Sequence, residues 1–511
     1  MRLSYFDVSI IVLYIVGITL FGMRFRRGQQ DIRDYFLGGR TAPWWAISFS
    51  IVATETSLLT VIGTPALAFK GNLGFLQLVF GYIVGRILIC FLFIPHYFRG
   101  ELYSAYQLIE RRFGARMKSV AASTFLLTRT LAEGVRVAAI AKVVSVAFGV
   151  DARYSVLPIA ALTILYTFEG GMKAVIWTDV IQMLIYLSGA VAAFFLLLDR
   201  IPGGWTEVTA VAAASGAKLS IFDFTFSLTR EFTFWSGLFG GVFLTLASHG
   251  ADQLMVQRLL AARNESDSKK AIVASGFIVF AQFALFLLLG VLLFVYHQHA
   301  PLITGGDPDR VFPEFVVREM PFGVRGLLLA AIFAAAMSNL SGALNSLASS
   351  TIVDFAWFRS RAADPAQMLA LSRWITVFWG VVLMLLGVLE WGEVLVQGLS
   401  IASIIYQSLL GLFLLGILNR RATARGALSG MIAGLALMLC IHFAGPISAG
   451  LAAQFPSPFL ADVAARLSVK LAFTWYVLVG TVVTFAVGSF ASLLEPSAQP
   501  RQTSGTPTDG R

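Results

Sequence analysis

A succession of apolar runs about 20 residues long constrains this chain most, because a run of that length crosses the hydrocarbon of a bilayer as a helix. Thirteen stand out, at 5–23, 43–69, 74–98, 117–149, 155–168, 176–198, 233–257, 271–296, 322–358, 370–389, 394–418, 426–444 and 470–494. The 155–168 run is short and has to continue toward Gly170-Gly171, whereas 322–358 must tilt or outrun the membrane. Composition agrees. Of 511 residues, 57% are hydrophobic and 13% charged, about half the charged share of a soluble domain. So little charge cannot clothe a water-soluble surface of this size, and the expected class is an all-α integral membrane protein.

The net charge of +10 comes with no basic face or stacking platform, so it does not point to nucleic acid. Its distribution reads as topology. Arg24, Arg26 and Arg27, then Arg111, Arg112, Arg116 and Lys118, then Arg258, Arg263, Lys269 and Lys270, then Arg420, Arg421 and Arg425 fall on alternate loops. The loops between them, including the long 199–232 and 297–321, carry fewer basic residues. That bias places the N-terminus outside and the C-terminus in the cytoplasm, with an odd number of spans, in the plasma (inner) membrane. The first run is followed by Met23-Arg24-Phe25-Arg26-Arg27 and no small-residue cleavage site, so it reads as a retained span. Cys90 and Cys440 lie in apolar runs and imply no disulfide framework. The tail from Pro496, rich in Pro, Ser, Thr and Gly, reads as disordered.

Polar residues at mid-bilayer are costly and need a reason. The second span carries Thr54-Glu55-Thr56-Ser57 at its centre, with Gly63 and Pro65 following. That is the pattern of a discontinuous helix, whose freed carbonyls and hydroxyls bind an ion or substrate; the alternative is a Ser/Thr-rich helix contact. The seventh span has the same character in Ser248-His249-Gly250-Ala251-Asp252, where Asp252 could simply pair with Arg258. In the ninth, Ser338, Ser341 and Asn345 share one helical face. Such oxygen donors suit a small hard cation, but small residues also form packing seams. In the fourth, Arg129, Glu133 and Arg136 share a face with one positive charge in surplus. Either an anionic substrate takes it, or an internal network does, with Glu55 as the second acid. The second and seventh spans stand five apart and so run in opposite directions, the sequence mark of an inverted-repeat transporter. The dispersed His96, His249, His297, His299 and His442 show no ligand spacing, and no nucleophile–base pair accompanies them, which argues against an enzyme. No continuous polar stripe of a channel is present either.

The motifs in order carry a family likeness. They are Asp34-Tyr35-Phe36-Leu37-Gly38-Gly39-Arg40 with Pro43-Trp44-Trp45; Glu110-Arg111-Arg112-Phe113-Gly114; the stretch from Tyr166 to Gln182 with Glu169-Gly170-Gly171 at its centre; Asp252-Gln253 with Gln257-Arg258; and Ser338 to Ser346. From Asp7 to about Gly434 the chain resembles the sodium:solute symporter family, carriers of sugars, proline, pantothenate, iodide and monocarboxylates. The resemblance implies a leucine-transporter-like core of ten helices in two inverted repeats of five. That core would span 43–418, with one helix and a loop before it (1–42), two helices after it (419–495) and the tail 496–511.

The resemblance also implies a sodium ion, the co-transported cation, between the broken first core helix and the eighth. The corresponding positions are Ala53, Thr56, Ala335, Ser338 and Asn339, with Asn339 standing where the family usually has Ser or Thr. A second sodium, bound by some members, would use Asp179, Ser338, Ser341 and Gly342, the last lacking the family's hydroxyl. Thr60 and Val79 replace the residues with which sugar carriers grip hydroxyls. The expected activity is therefore sodium-coupled import of a small polar solute, preferably a carboxylate or other organic anion, by alternating access. Glu55, Ser57, Thr60, Arg129, Glu133 and Arg136 are the substrate candidates. The alternatives are a proton-coupled carrier with Glu55 as titrating group, a sodium/sugar symporter and a channel. The implied partners are the solute, sodium and the lipid bilayer, with no nucleic acid and no obligate protein partner.

Overall fold

The computed structural model describes residues 3–28, 31–100, 102–148, 157–302, 307–355, 357, 364–389, 394–454 and 471–495. The tail from Pro496 lies outside them. The long helices are α1 (Tyr5–Met23), α2 (Trp44–Glu55), α3 (Leu58–Lys70), α4 (Leu76–Leu92), α5 (Ala115–Phe148), α6 (Leu157–Arg200), α7 (Phe234–Thr245), α8 (Gln253–Leu260), α9 (Glu265–His299), α10 (Val324–Asp354), α11 (Pro365–Gly387), α12 (Val394–Leu418), α13 (Ala424–Gln454) and α14 (Phe473–Leu494). Among the described residues, eight segments are long and apolar enough to cross a membrane unaided, and the bent pair α2–α3 makes a ninth. The remaining expected spans fall on α4, on α5 with its charged residues, on the first part of α6, and on α7 with α8.

The helix α6 is two spans joined at Gly171, whose φ of 52° and ψ of −153° leave helical space. A residue with a Cβ strains at such a φ, so the expected Gly170-Gly171 turn marks the junction. The expected helix-breakers in the second span act otherwise: Pro65 sits inside α3, and the break falls on the polar cluster before it.

Position in the bundle explains which spans tolerate polar residues. Every residue of α10 from Leu328 to Asp354 is buried, so its serines and asparagines face protein and never lipid. Helices α4 and α7 cross at backbone contact: a Cβ on Gly241 would lie 2.2 Å from the Leu78 carbonyl oxygen, and one on Gly81 2.5 Å from that of Leu238. Glycine provides this closeness, which replaces the hydrophobic drive that lipid does not supply. The first helix is held by Asp7. Its Oδ2 accepts from Arg325 Nη2 at 2.6 Å and Nε at 3.1 Å, and its Oδ1 accepts from the Gly323 and Gly326 amides at 2.8 and 3.1 Å. A carboxylate there satisfies the amides at the start of α10 and meets the positive end of its dipole.

Candidate functional site

The break in the second span is built by its own side chains. The last regular bond of α2 runs from the Thr56 amide to Val52 O at 2.8 Å, and the Ser57 amide turns back to Glu55 O at 2.9 Å. Thr, Glu and Ser side chains compete with the backbone for hydrogen bonds, which weakens a helix where they cluster. The chain resumes as α3 at an angle of 62° to α2. The Ala53 carbonyl, which Ser57 N–H would take in an unbroken helix, leaves the ladder, and the Thr54 carbonyl turns outward to α10.

There it meets Asn339, whose Nδ2 donates to Thr54 O at 2.7 Å. The other half of that amide, Oδ1, is buried and has no partner among the described residues. One turn of the same helix brings Ser338, whose hydroxyl donates to Asp179 Oδ1 at 2.6 Å, and Ser341, whose hydroxyl donates to Ser338 O at 2.9 Å. The Thr56 hydroxyl accepts from Gln282 Nε2 at 2.5 Å, and Gln282 Oε1 accepts from Tyr186 at 3.2 Å. Asp179, Ser338, Ser341 and Asn339 thus gather beside the break that Ala53 and Thr56 flank. Asn345, further along α10, carries a buried amide with neither atom partnered among the described residues.

The second break is a π-helical turn, Leu246–Ala251, after which Asp252 is extended and starts α8 by accepting from the Leu254 amide at 2.8 Å. Tyr97 donates to the freed Gly250 carbonyl. The two breaks are tied by charge: Glu55 is ion-paired with Arg86, and His249 Nε2 lies 3.5 Å from the same carboxylate and 3.3 Å from Arg86 Nη2. Arg86 Nε also donates to Ser275 at 3.2 Å.

The structure corrects two pairings. Asp252 does not pair with Arg258. It lies 2.7 Å from Arg129, which also holds Glu133 at 2.9 Å and the Tyr406 hydroxyl at 2.8 Å. Arg258 instead meets Asp179, at 3.1 Å. The second acid of the Arg129 network is therefore Asp252 and not Glu55, and the surplus charge expected on α5 is matched. The reason is geometric. The extended turn after the π-helix carries Asp252 inward to α5, while α8 carries Arg258 past it to α6.

Arg129 and the residues of the α2 break line a cavity of about 110 Å³. Phe75, Tyr82 and Phe283 form apolar wall, and Glu55, Ser57, Thr60, His249, Arg129 and Arg136 supply polar groups. All six expected substrate residues except Glu133 line it; Glu133 lies behind, bridging Arg129 and Arg136. Two guanidinium groups, those of Arg129 and Arg136, line it, and they are not equally engaged. The Arg129 side chain is 3% exposed, whereas that of Arg136 is 24% exposed and bonded among the described residues only to Glu133, through Nη1. Arg136 is the more exposed of the two cations that line the cavity.

Sequence reasoning missed Arg86, Gln282, Tyr186, Ser50 and Tyr406. Gln282 and Arg86 carry a signal, each a lone polar residue in an apolar run. The others gain their role only from neighbours distant in sequence. Among the described residues no group of three or more His, Cys, Asp and Glu is arranged to hold a metal.

Comparison with known proteins converges on one family. The sequence profile of the sodium:solute symporter family matches residues 35–434. The chain is 32% identical over 449 residues to the sodium/sialic acid symporter NanT of Aliivibrio fischeri, covering 84% of this chain and 86% of that one. It is 30% identical over 451 residues to the human sodium/iodide cotransporter, covering 85% and 68%. The structure of a sodium-coupled sialic acid symporter in a substrate-bound outward-open state superimposes with a TM-score of 0.84, at 27% identity, over 96% of this chain and 98% of that one. The fold is thus the leucine-transporter-like inverted-repeat bundle, and the chain is a multi-pass membrane transporter that couples solute movement to sodium. With the profile spanning most of its length, the protein belongs to the sodium:solute symporter family.

Proposed function

We propose that this symporter imports a small carboxylate or comparable organic anion together with sodium. The observation that carries the solute class is Arg136, the exposed member of the cavity's ion network, with guanidinium nitrogens left over after its bond to Glu133. A bidentate contact with a planar carboxylate uses just such a group. Ser57 and Thr60 add hydroxyls, and the aromatic wall takes an apolar body of limited size.

Sodium in this reading sits between the α2 break and α10, held by the carbonyls of Ala53, Thr56 and Ala335, the Ser338 hydroxyl and Asn339 Oδ1. The unpartnered, buried Oδ1 supports it, since a buried acceptor left without a donor is costly unless a ligand meets it. The ion bridges the two helices and favours the outward-open state by its differential affinity. Its charge crossing the membrane field is worth about 2.3 kcal/mol per 100 mV, which drives accumulation. In the same reading the core runs over 43–418, with the N-terminus outside and the C-terminus in the cytoplasm of a plasma (inner) membrane protein.

Purified protein in proteoliposomes tests this. Uptake of labelled small carboxylates, measured with sodium outside or with choline in its place at fixed pH, is expected to be saturable and sodium-dependent. Equal uptake in choline that instead follows a pH gradient would transfer the coupling to a proton and to Glu55. Saturable uptake of a neutral sugar but no carboxylate would overturn the solute class alone.

A further inference from the structure

The stretch 221–230, just before α7, forms neither helix nor strand. It is nonetheless tied to the bundle through its backbone. The Asp223 amide donates to Gln77 Oε1 of α4 at 2.9 Å, and the Asp223 carbonyl accepts from the Phe234 amide at 2.7 Å. The Leu228 carbonyl accepts from the Ala472 amide, at the start of α14, at 2.8 Å. The Ser227 carbonyl accepts from Trp475 Nε1 at 3.1 Å. The large apolar side chains turn the other way: Phe222, Phe224, Phe226 and Leu228 are each more than half exposed. The only charged residues of the stretch, Asp223 and Arg230, pair with each other at 2.9 Å.

We infer that this strap lies in the membrane interface with Phe222, Phe224, Phe226 and Leu228 set among lipids, so that a connection between spans is itself a docking surface for the bilayer. An exposed apolar patch of this kind marks a membrane or a protein contact, and continuity with the spans selects the membrane. Phe80 of α4 stacks on Phe222 with ring centroids 5.9 Å apart, and Phe222 stacks on Phe224 at 5.7 Å. Phe224 meets Phe234, the first residue of α7, at 5.0 Å. Trp235 then stacks on Phe239 at 6.3 Å, both exposed on the outward face of α7. One aromatic band therefore runs from the strap onto a helix of the membrane bundle. Irregular backbone beside lipid has to find its hydrogen bonds within the protein, and the bonds to α4, α7 and α14 supply them for Asp223, Ser227 and Leu228. The depth is that of the interface, where aromatic rings meet headgroups and a long basic side chain such as Arg230 keeps its charge in water.

Spin labelling of the full chain in phospholipid vesicles tests this. Phe224→Cys and Phe226→Cys, each in a background where Cys90 and Cys440 are replaced by serine, take a nitroxide, and its collisions with oxygen, which partitions into lipid, are compared with those of a water-soluble nickel chelate. Oxygen is expected to exceed the chelate severalfold at both positions. A chelate rate above that of oxygen places the strap in water and overturns the inference. Low rates for both probes show the rings covered by protein, a second copy included, and overturn it equally. Should the cysteine variants fail to fold, the unaltered chain still decides. A carbene-generating diazirine dissolved in the vesicle lipid, followed by peptide mass spectrometry, is expected to label 221–230 along with the lipid-facing helices, and labelled helices beside an unlabelled strap overturn the inference.

Discussion

Asn339 reaches from α10 to the broken second span and donates its amide hydrogen to the Thr54 carbonyl oxygen at 2.7 Å. The bond ties the two proposed halves of the sodium site and leaves Oδ1 of the same amide without a partner among the described residues. Asn339→Leu, close in size and without either atom, is expected to raise the sodium concentration for half-maximal uptake by tenfold or more, the equivalent of about 1.4 kcal/mol. Ser338→Ala is expected to do the same. Proteoliposome uptake against sodium concentration checks both, and unchanged sodium affinity in the pair would remove these residues from the site.

The bond between Arg129 and Asp252 holds the second break against α5. Asp252→Asn leaves a buried guanidinium short of a counter-charge, and removing one partner of a buried pair costs about 3–5 kcal/mol. A clear fall in melting temperature of the detergent-solubilised protein is expected. The double variant Arg129→Gln/Asp252→Asn, which removes both charges, is expected to regain part of the loss; additivity of the two single losses would mean that the pair is not coupled.

Arg136 is expected to govern solute recognition without touching sodium. Arg136→Gln should raise KM for a transported carboxylate by tenfold or more while sodium binding stays at the wild-type level. Arg136→Lys should recover only part, because an ammonium does not offer the bidentate fork. An unaltered KM in Arg136→Gln assigns the solute to other groups in the cavity.

Asp7 is expected to serve the fold and not the transport step. Its carboxylate bridges Arg325 and the first amides of α10, and a hydrogen bond to a charged group is worth about 1.5–3 kcal/mol. Asp7→Asn is expected to lower the melting temperature, with half-maximal sodium unchanged in the protein that remains folded. A shifted sodium affinity would show that α1 communicates with the site.

The amino-acid sequence determined most of the architecture, since the physics involved is local. Runs of apolar residues specify spans wherever the solvent is hydrocarbon, and the Thr54–Ser57 and Ser248–Asp252 clusters mark the breaks because their side chains compete with the helix they interrupt. Gly171 was legible as a junction for the same reason. Ser338, Ser341 and Asn345 were placed on one face by helical periodicity alone. What the sequence left open was partnership. Arg129, Glu133 and Arg136 showed a surplus charge, and only the folded chain decided that Asp252 meets Arg129, that Arg86 meets Glu55 and that Arg258 meets Asp179. Each of these couples helices far apart in the chain, and a buried ion pair forms wherever packing brings opposite charges into one low-dielectric space, a condition that no local pattern of residues encodes.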